Sequence, residues 1–280
     1  MQFNVKIGKI TLKNPVMPAS GTFGFGIEYE GIVPIEKLGA LVTKGITLMP
    51  KEGNPPPRIL EVKNGLLNTI GLENPGIERF LKEMLQKMVK YKVPIIVNIS
   101  GESFKEYEEI ANILDKESIS GIEINISCPN VEKGGIEFGK EPSVVFSLVS
   151  LIRKRTNKTL ITKLTPNVSD IKGIAKAAED AGSDAISLIN TVKAMAFFEN
   201  RQFFGGLSGP CIKPIALRMV WEAYNTVSIP IIGVGGIQTP EDAIDFFKVG
   251  AIAIQIGSAN IADPLACIKI IDGIYTFQKF

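Results

Sequence analysis

One pattern repeats along this chain: a short β-branched run, then small or polar residues, then an amphipathic stretch with helical spacing. The apolar runs lie at 15–19, 40–43, 94–97, 121–124, 159–162, 184–189, 230–234 and 251–256. Helical periodicity occupies 76–91, 103–115, 142–155, 169–181, 213–225 and 240–249 between them. Strand–helix alternation means an α/β protein with a parallel sheet. Eight such units in 280 residues predict a (β/α)8 TIM barrel. A doubly wound open sheet would alternate in the same way, but nothing in it sets the count at eight. Residues 2–12 alternate like a β-hairpin with its turn near Gly8 and Lys9. No low-complexity linker interrupts the pattern, so 1–280 is expected to form a single barrel domain. Two insertions, 47–74 and 192–212, follow strands on the same face, where long loops usually form lids or substrate pockets.

The absence of histidine narrows the chemistry. Serine–histidine hydrolysis and histidine-built zinc sites are excluded, and any general base must be Cys, Lys, Asp, Glu or Tyr. No metal site is expected. A net charge of +2 gives no reason to expect nucleic acid. No apolar signal core and no run long enough to span a bilayer are present, so no membrane association is expected. Three widely spaced cysteines suit a reducing cytoplasm. The glycine-rich 21–26 stretch does not fit the dinucleotide fingerprint, and no CxxC occurs. NAD and iron–sulfur clusters are therefore not expected on this chain.

The run ends carry the candidate site, because barrel chemistry sits at the C-terminal ends of the strands. The stretch GIEINISCPN (121–130) passes from a β-branched strand into a loop holding Asn125, Cys128 and Asn130, stiffened by Pro129. Cys128 is thus a candidate nucleophile or base, with a packing role as the alternative. Gly235, Gly236, Gly257 and Ser258 close the last two strands, where barrels commonly bind phosphate. Lys44 and Lys163 end two apolar strands, and Asn98, Asn125 and Asn190 end three others. Buried ammonium groups want an anion, and carboxamides can read ring carbonyls. A phosphate-bearing heteroaromatic cofactor such as a flavin fits this set. A Schiff base on either lysine is a second reading, and a non-catalytic scaffold barrel a third.

The segments PASGTFGFG (18–26), TKGIT (43–47), NTIGLENPG (68–76), NISCPN (125–130), KLTPNV (163–168), INT (189–191), GGLSGPCIKPIALRMV (205–220), GVGGI (233–237) and IGSA (256–259) together resemble the dihydroorotate dehydrogenases, above all the class 1B catalytic subunits. The resemblance implies an FMN-dependent barrel that oxidises (S)-dihydroorotate to orotate in pyrimidine (UMP) biosynthesis. It implies that Cys128 removes the C5 proton while hydride passes from C6 to N5 of FMN. By the same resemblance, Lys44, Asn68, Thr69, Ile70, Gly71, Leu72, Asn125, Asn190 and Thr191 would hold the substrate. Ser20, Lys44, Gly45, Asn98, Asn125, Lys163, Ile189, Gly209, Gly235, Gly236, Gly257 and Ser258 would hold FMN.

Class 1B further implies a partner subunit carrying FAD and a [2Fe-2S] cluster that passes electrons to NAD. It also implies a homodimer core within a heterotetramer. A class 1A-type fumarate-linked enzyme, a related dihydropyrimidine oxidoreductase and a lysine Schiff-base lyase are the alternatives. The 192–205 segment is shorter than is usual in the family, and Cys211 and Cys267 are expected to be packing residues.

Overall fold

The computed structural model describes residues 4–126 and 138–277. Fourteen strands occur in them: β1 (Val5–Ile7), β2 (Ile10–Leu12), β3 (Val16–Pro18), β4 (Leu41–Val42), β5 (Ile59–Val62), β6 (Gly65–Asn68), β7 (Ile95–Ile99), β8 (Gly121–Asn125), β9 (Thr159–Lys163), β10 (Ala185–Leu188), β11 (Val192–Phe198), β12 (Arg201–Ser208), β13 (Ile231–Val234) and β14 (Ala253–Ile256). Each of the eight apolar runs becomes one parallel strand of a single sheet, ordered β4-β7-β8-β9-β10-β13-β14-β3. The remaining seam is bridged by the Gly39 N–H, which donates to the Val16 carbonyl at 2.9 Å. A Cβ on Gly39 would fall 2.3 Å from the Asn14 carbonyl oxygen, so the two edges meet only because that residue is glycine. The result is a (β/α)8 barrel.

Strand alternation divides the barrel interior into layers. Met17, Val42, Ile96, Ile161, Ala185, Ile232 and Ala253 form an apolar floor, closed from below by Ile7, Ile10 and Leu12 of the β1–β2 hairpin. Each fully buried isoleucine or leucine there contributes roughly 1.5–3 kcal/mol. Two residues further along the same strands, the inward positions are Asn98, Lys163, Ser187 and Gln255, all buried. Glu123 and Asn125 occupy the matching face of β8.

The helices pack outside through their apolar faces. Phe104–Leu114 buries Tyr107, Ile110, Ala111 and Leu114, and Ser103 caps it by accepting from the Glu106 N–H. Pro240–Lys248 starts with Pro240 and a reciprocal Thr239–Asp242 capping box. The 76–91 stretch is not one regular helix: Gly76–Arg79 widens into a π-helical segment, Phe80–Leu85, before Gln86–Met88. No helix of the described residues is long and apolar enough to cross a membrane.

The two insertions differ from their sequence expectation. Rather than separate loops, they build one antiparallel sheet, β11-β12-β6-β5, in which Asn68 pairs with Gly206. Both hairpins turn on left-handed residues: Asn64 in one, and Glu199 and Asn200 in the other, at φ 46° and 60°. Local alternation was hidden because the pairing of β6 with β12 joins segments far apart in the chain.

Candidate active site

Beneath this sheet, at the C-terminal mouth of the barrel, lies a cavity of about 320 Å³. Most of the sequence-predicted residues meet there. Ser20, Lys44 and Gly45 come from the first two barrel strands, and Asn125 and Lys163 from β8 and β9. Ile189, Asn190 and Thr191 follow β10. Gly209, Gly235, Gly236, Gly257 and Ser258 line the opposite wall. From the NTIGL loop the cavity takes Asn68, Ile70 and Leu72.

Three predicted residues are not on the wall. Thr69 turns away to Asn54, whose Nδ2 donates to the Thr69 carbonyl and hydroxyl at 2.9 Å each. Gly71 also backs onto Asn54, 2.7 Å from the Asn54 nitrogen at its Cβ position. Asn98 lies one shell deeper, its Oδ1 3.1 Å from the Cβ position of Gly45. Cys128 lies outside the described residues.

The wall has two chemical halves. Around Gly235 and Gly236, both left-handed at φ 127° and 74°, the backbone is bare, and the Ser258 hydroxyl makes no capping bond. A Cβ on Gly236 would fall 2.8 Å from the Cβ of Lys213, so this turn needs glycine for both its conformation and its packing. Lys213 anchors the turn from outside by donating to Asp242 at 2.5 Å and Asp245 at 2.9 Å. Burial pulls its ammonium down, but the two carboxylates outweigh that and hold it above its usual value.

The other half is polar and cationic. Lys163 Nζ donates to Ser20 Oγ at 2.8 Å and lies 3.6 Å from a Glu123 oxygen. Lys44 Nζ stands 4.0 Å from Glu73, which is held by Arg58 at 2.6 Å. Lys44 and Glu73 also border a larger, open cleft of about 1010 Å³. That cleft is rimmed by charges of both signs and has no counterpart of the paired glycine turns.

Sequence reasoning passed over two groups. Asn167, within KLTPNV, braces the 190–193 segment: it donates to the Thr191 carbonyl at 3.0 Å and accepts from the Lys193 N–H at 2.9 Å. Glu123 is the other, visible only as the charged member of an alternating strand. Cys267 is buried, as expected, whereas Cys211 is exposed and is not a packing residue.

The arrangement fits a flavin mononucleotide on its own terms. Two buried acceptors near the cavity, Asn98 Oδ1 and Thr191 Oγ1, have no hydrogen-bond partner among the described residues. Such orphans call for a ligand with N–H donors, and the Thr191 hydroxyl can also donate to a ligand C=O. The bare glycine turns suit a phosphate, and Ile59, Leu66 and Ile261 supply apolar wall.

Comparison with known proteins agrees. The sequence profile of the family described as Dihydroorotate dehydrogenase matches residues 2–277. The chain is 51% identical over 286 aligned positions to a protein of Thermoanaerobacter pseudethanolicus named dihydroorotate dehydrogenase B (NAD(+)), catalytic subunit, covering 99% of this chain and 94% of that one. It is 49% identical to a protein of the same name from Geotalea uraniireducens (99% and 93% covered). A third of that name, from Caldicellulosiruptor bescii, is 50% identical (100% and 95% covered). Matched from its second residue into its last helix, and with the barrel-mouth cavity already in place, the chain belongs to the dihydroorotate dehydrogenase family.

Proposed function

We propose that this chain is the catalytic subunit of an NAD-linked dihydroorotate dehydrogenase, with 1–280 acting as one FMN-binding barrel. The observation that carries the reading is a cavity at the strand ends that joins a double-glycine turn to two lysines and several amide side chains. FMN, when bound, supplies the acceptor for the hydride leaving C6 of dihydroorotate. Gly209, Gly235, Gly236, Gly257 and Ser258 would hold its phosphate through backbone N–H groups and a hydroxyl. Ser20, Gly45, Asn98, Lys163 and Ile189 would hold its ring.

Lys44 would bind the substrate carboxylate, displacing the 4.0 Å contact it now makes with Glu73. Asn68, Asn125, Asn190 and Thr191 would orient the substrate ring amides. Thr69 and Gly71 would shape the loop rather than touch the ring, because Asn54 engages both from behind. Ile70 and Leu72 would exclude water above it. Cys128, three residues past the end of β8, would take the C5 proton as a thiolate. Lys163 is engaged by Glu123 and Ser20 as a charged donor, which favours an electrostatic role over a Schiff base.

An electron-transfer partner with FAD and a [2Fe-2S] cluster would carry electrons on to NAD. Met195, Phe197 and Phe204, on one face of the β11–β12 hairpin, are 44%, 67% and 64% exposed. This apolar face supports assembly into the proposed homodimer and heterotetramer. Cytoplasmic location is consistent with the free thiols Cys211 and Cys267.

The test is anaerobic single turnover of Cys128→Ala. Its flavin spectrum should match the parent, with reduction by dihydroorotate slowed by about 10²–10⁴-fold. Reduction at the parent rate would remove Cys128 from the mechanism.

A further inference from the structure

Glu123 lies midway along β8, completely buried, and does not line the cavity. One of its oxygens accepts from Asn98 Nδ2 at 2.7 Å and faces Lys163 Nζ at 3.6 Å. The other accepts from Ser187 Oγ at 2.9 Å and Gln255 Nε2 at 2.7 Å. These partners come from β7, β9, β10 and β14, so one carboxylate ties four strands together. Every partner is a donor, which is the environment of an ionised carboxylate. An apolar residue would hold the barrel together at least as well as a buried charge. The floor one layer below is built in that apolar way.

We infer that Glu123 is a positioning residue for the flavin site: it anchors the Lys163 ammonium and the Asn98 amide in place, and so sets the reduction potential of bound FMN. The inference rests on the flavin reading of the cavity. Lys163 is held between the Glu123 carboxylate and Ser20 Oγ, and both Ser20 and Lys163 line the cavity. Only the NH2 end of Asn98 can meet a carboxylate, so its carbonyl oxygen must point the other way. That oxygen has no partner among the described residues and stands beside Gly45, on the cavity wall. Glu123 thereby turns that acceptor toward Gly45 and the cavity beyond it, where an imide-like ring edge would lie, and presents a balanced cation to the same ring. The Glu123–Lys163 pair carries no net charge. Without the carboxylate, the ring would feel the whole charge of Lys163, and the electron-rich reduced flavin would gain most.

The experiment is a spectroelectrochemical titration of FMN bound to the parent, Glu123→Gln, Lys163→Met and the double variant. Glu123→Gln should favour reduced over oxidised FMN by about tenfold, a rise of ~30 mV for a two-electron couple. In the Lys163→Met background the same substitution should move the ratio less than about threefold. Gln255→Leu gives a second route that keeps the carboxylate and removes a neutral donor. It should lower the potential, again only while Lys163 is present. A potential unchanged in both Glu123→Gln and Gln255→Leu overturns the inference. So does a shift of equal size with and without Lys163, which would mean that the carboxylate acts on the ring directly and not through Lys163. Parent protein that takes up no FMN would instead defeat the flavin reading beneath it.

Discussion

The barrel interior holds two layers built on the same strands, only two residues apart. Ile96 and Asn98 share β7, Ile161 and Lys163 share β9, and Ala253 and Gln255 share β14. The lower layer is apolar and sealed by the hairpin. The upper layer is buried equally well, yet it contains a carboxylate, an ammonium and amides. Burial alone therefore does not decide composition. The lower layer stabilises the fold, while the upper layer orders polar groups beneath a cavity that a ligand can complete.

The largest effect is expected in the floor. Ile161→Ala should cost ~2–5 kcal/mol, read by urea denaturation, while FMN affinity of the folded protein stays near the parent value. An equal loss of FMN affinity would mean that the layers are not separable. One layer up, Ser187→Ala removes a charge-assisted donor to Glu123 and should cost ~1–3 kcal/mol. This substitution should also disturb the visible spectrum of bound FMN, which Ile161→Ala should not.

The outer wall gives a smaller, pH-dependent effect. Burial pushes the Asp242 carboxyl up, but its bonds from Lys213 and from the Gln238 and Thr239 N–H groups outweigh this and hold it below its ordinary 3.8. A carboxylate with a lowered folded value stabilises the protein above the unfolded value, and that stabilisation is lost as pH falls through the folded one. Lys213→Met should thus cost ~1 kcal/mol at neutral pH, and the gap from the parent should narrow below pH 3.8 in acid denaturation curves. Smallest of all is Cys211→Ser, expected within ~0.5 kcal/mol of the parent. Mass mapping after alkylation of native protein should find Cys211 modified and Cys267 untouched, since burial pushes the Cys267 thiol up to about 12.

Much of this organisation was legible in the sequence. The eight strands were marked by β-branched runs, and the cavity by what ended each run: Lys44, Asn125, Lys163, Asn190, the 235–236 turn and Gly257. The four-stranded sheet was not legible. Its register joins Asn68 to Gly206, and no local pattern in either insertion announces the other. Glu123 was visible as a charged residue alternating with isoleucines. Its role depends on four side chains from other strands, which meet only when the barrel closes. Cys211 was expected to pack, yet the turn before Lys213 leaves it at the surface. Cys128 was singled out from sequence alone and lies outside the described residues.

The most direct test of the central claim is the visible absorption of the purified chain, before and after anaerobic addition of dihydroorotate. The protein should be yellow, and its flavin band should bleach on addition of substrate. A colourless protein that cannot be reconstituted with FMN, or a flavin band that dihydroorotate leaves unchanged, would contradict that claim.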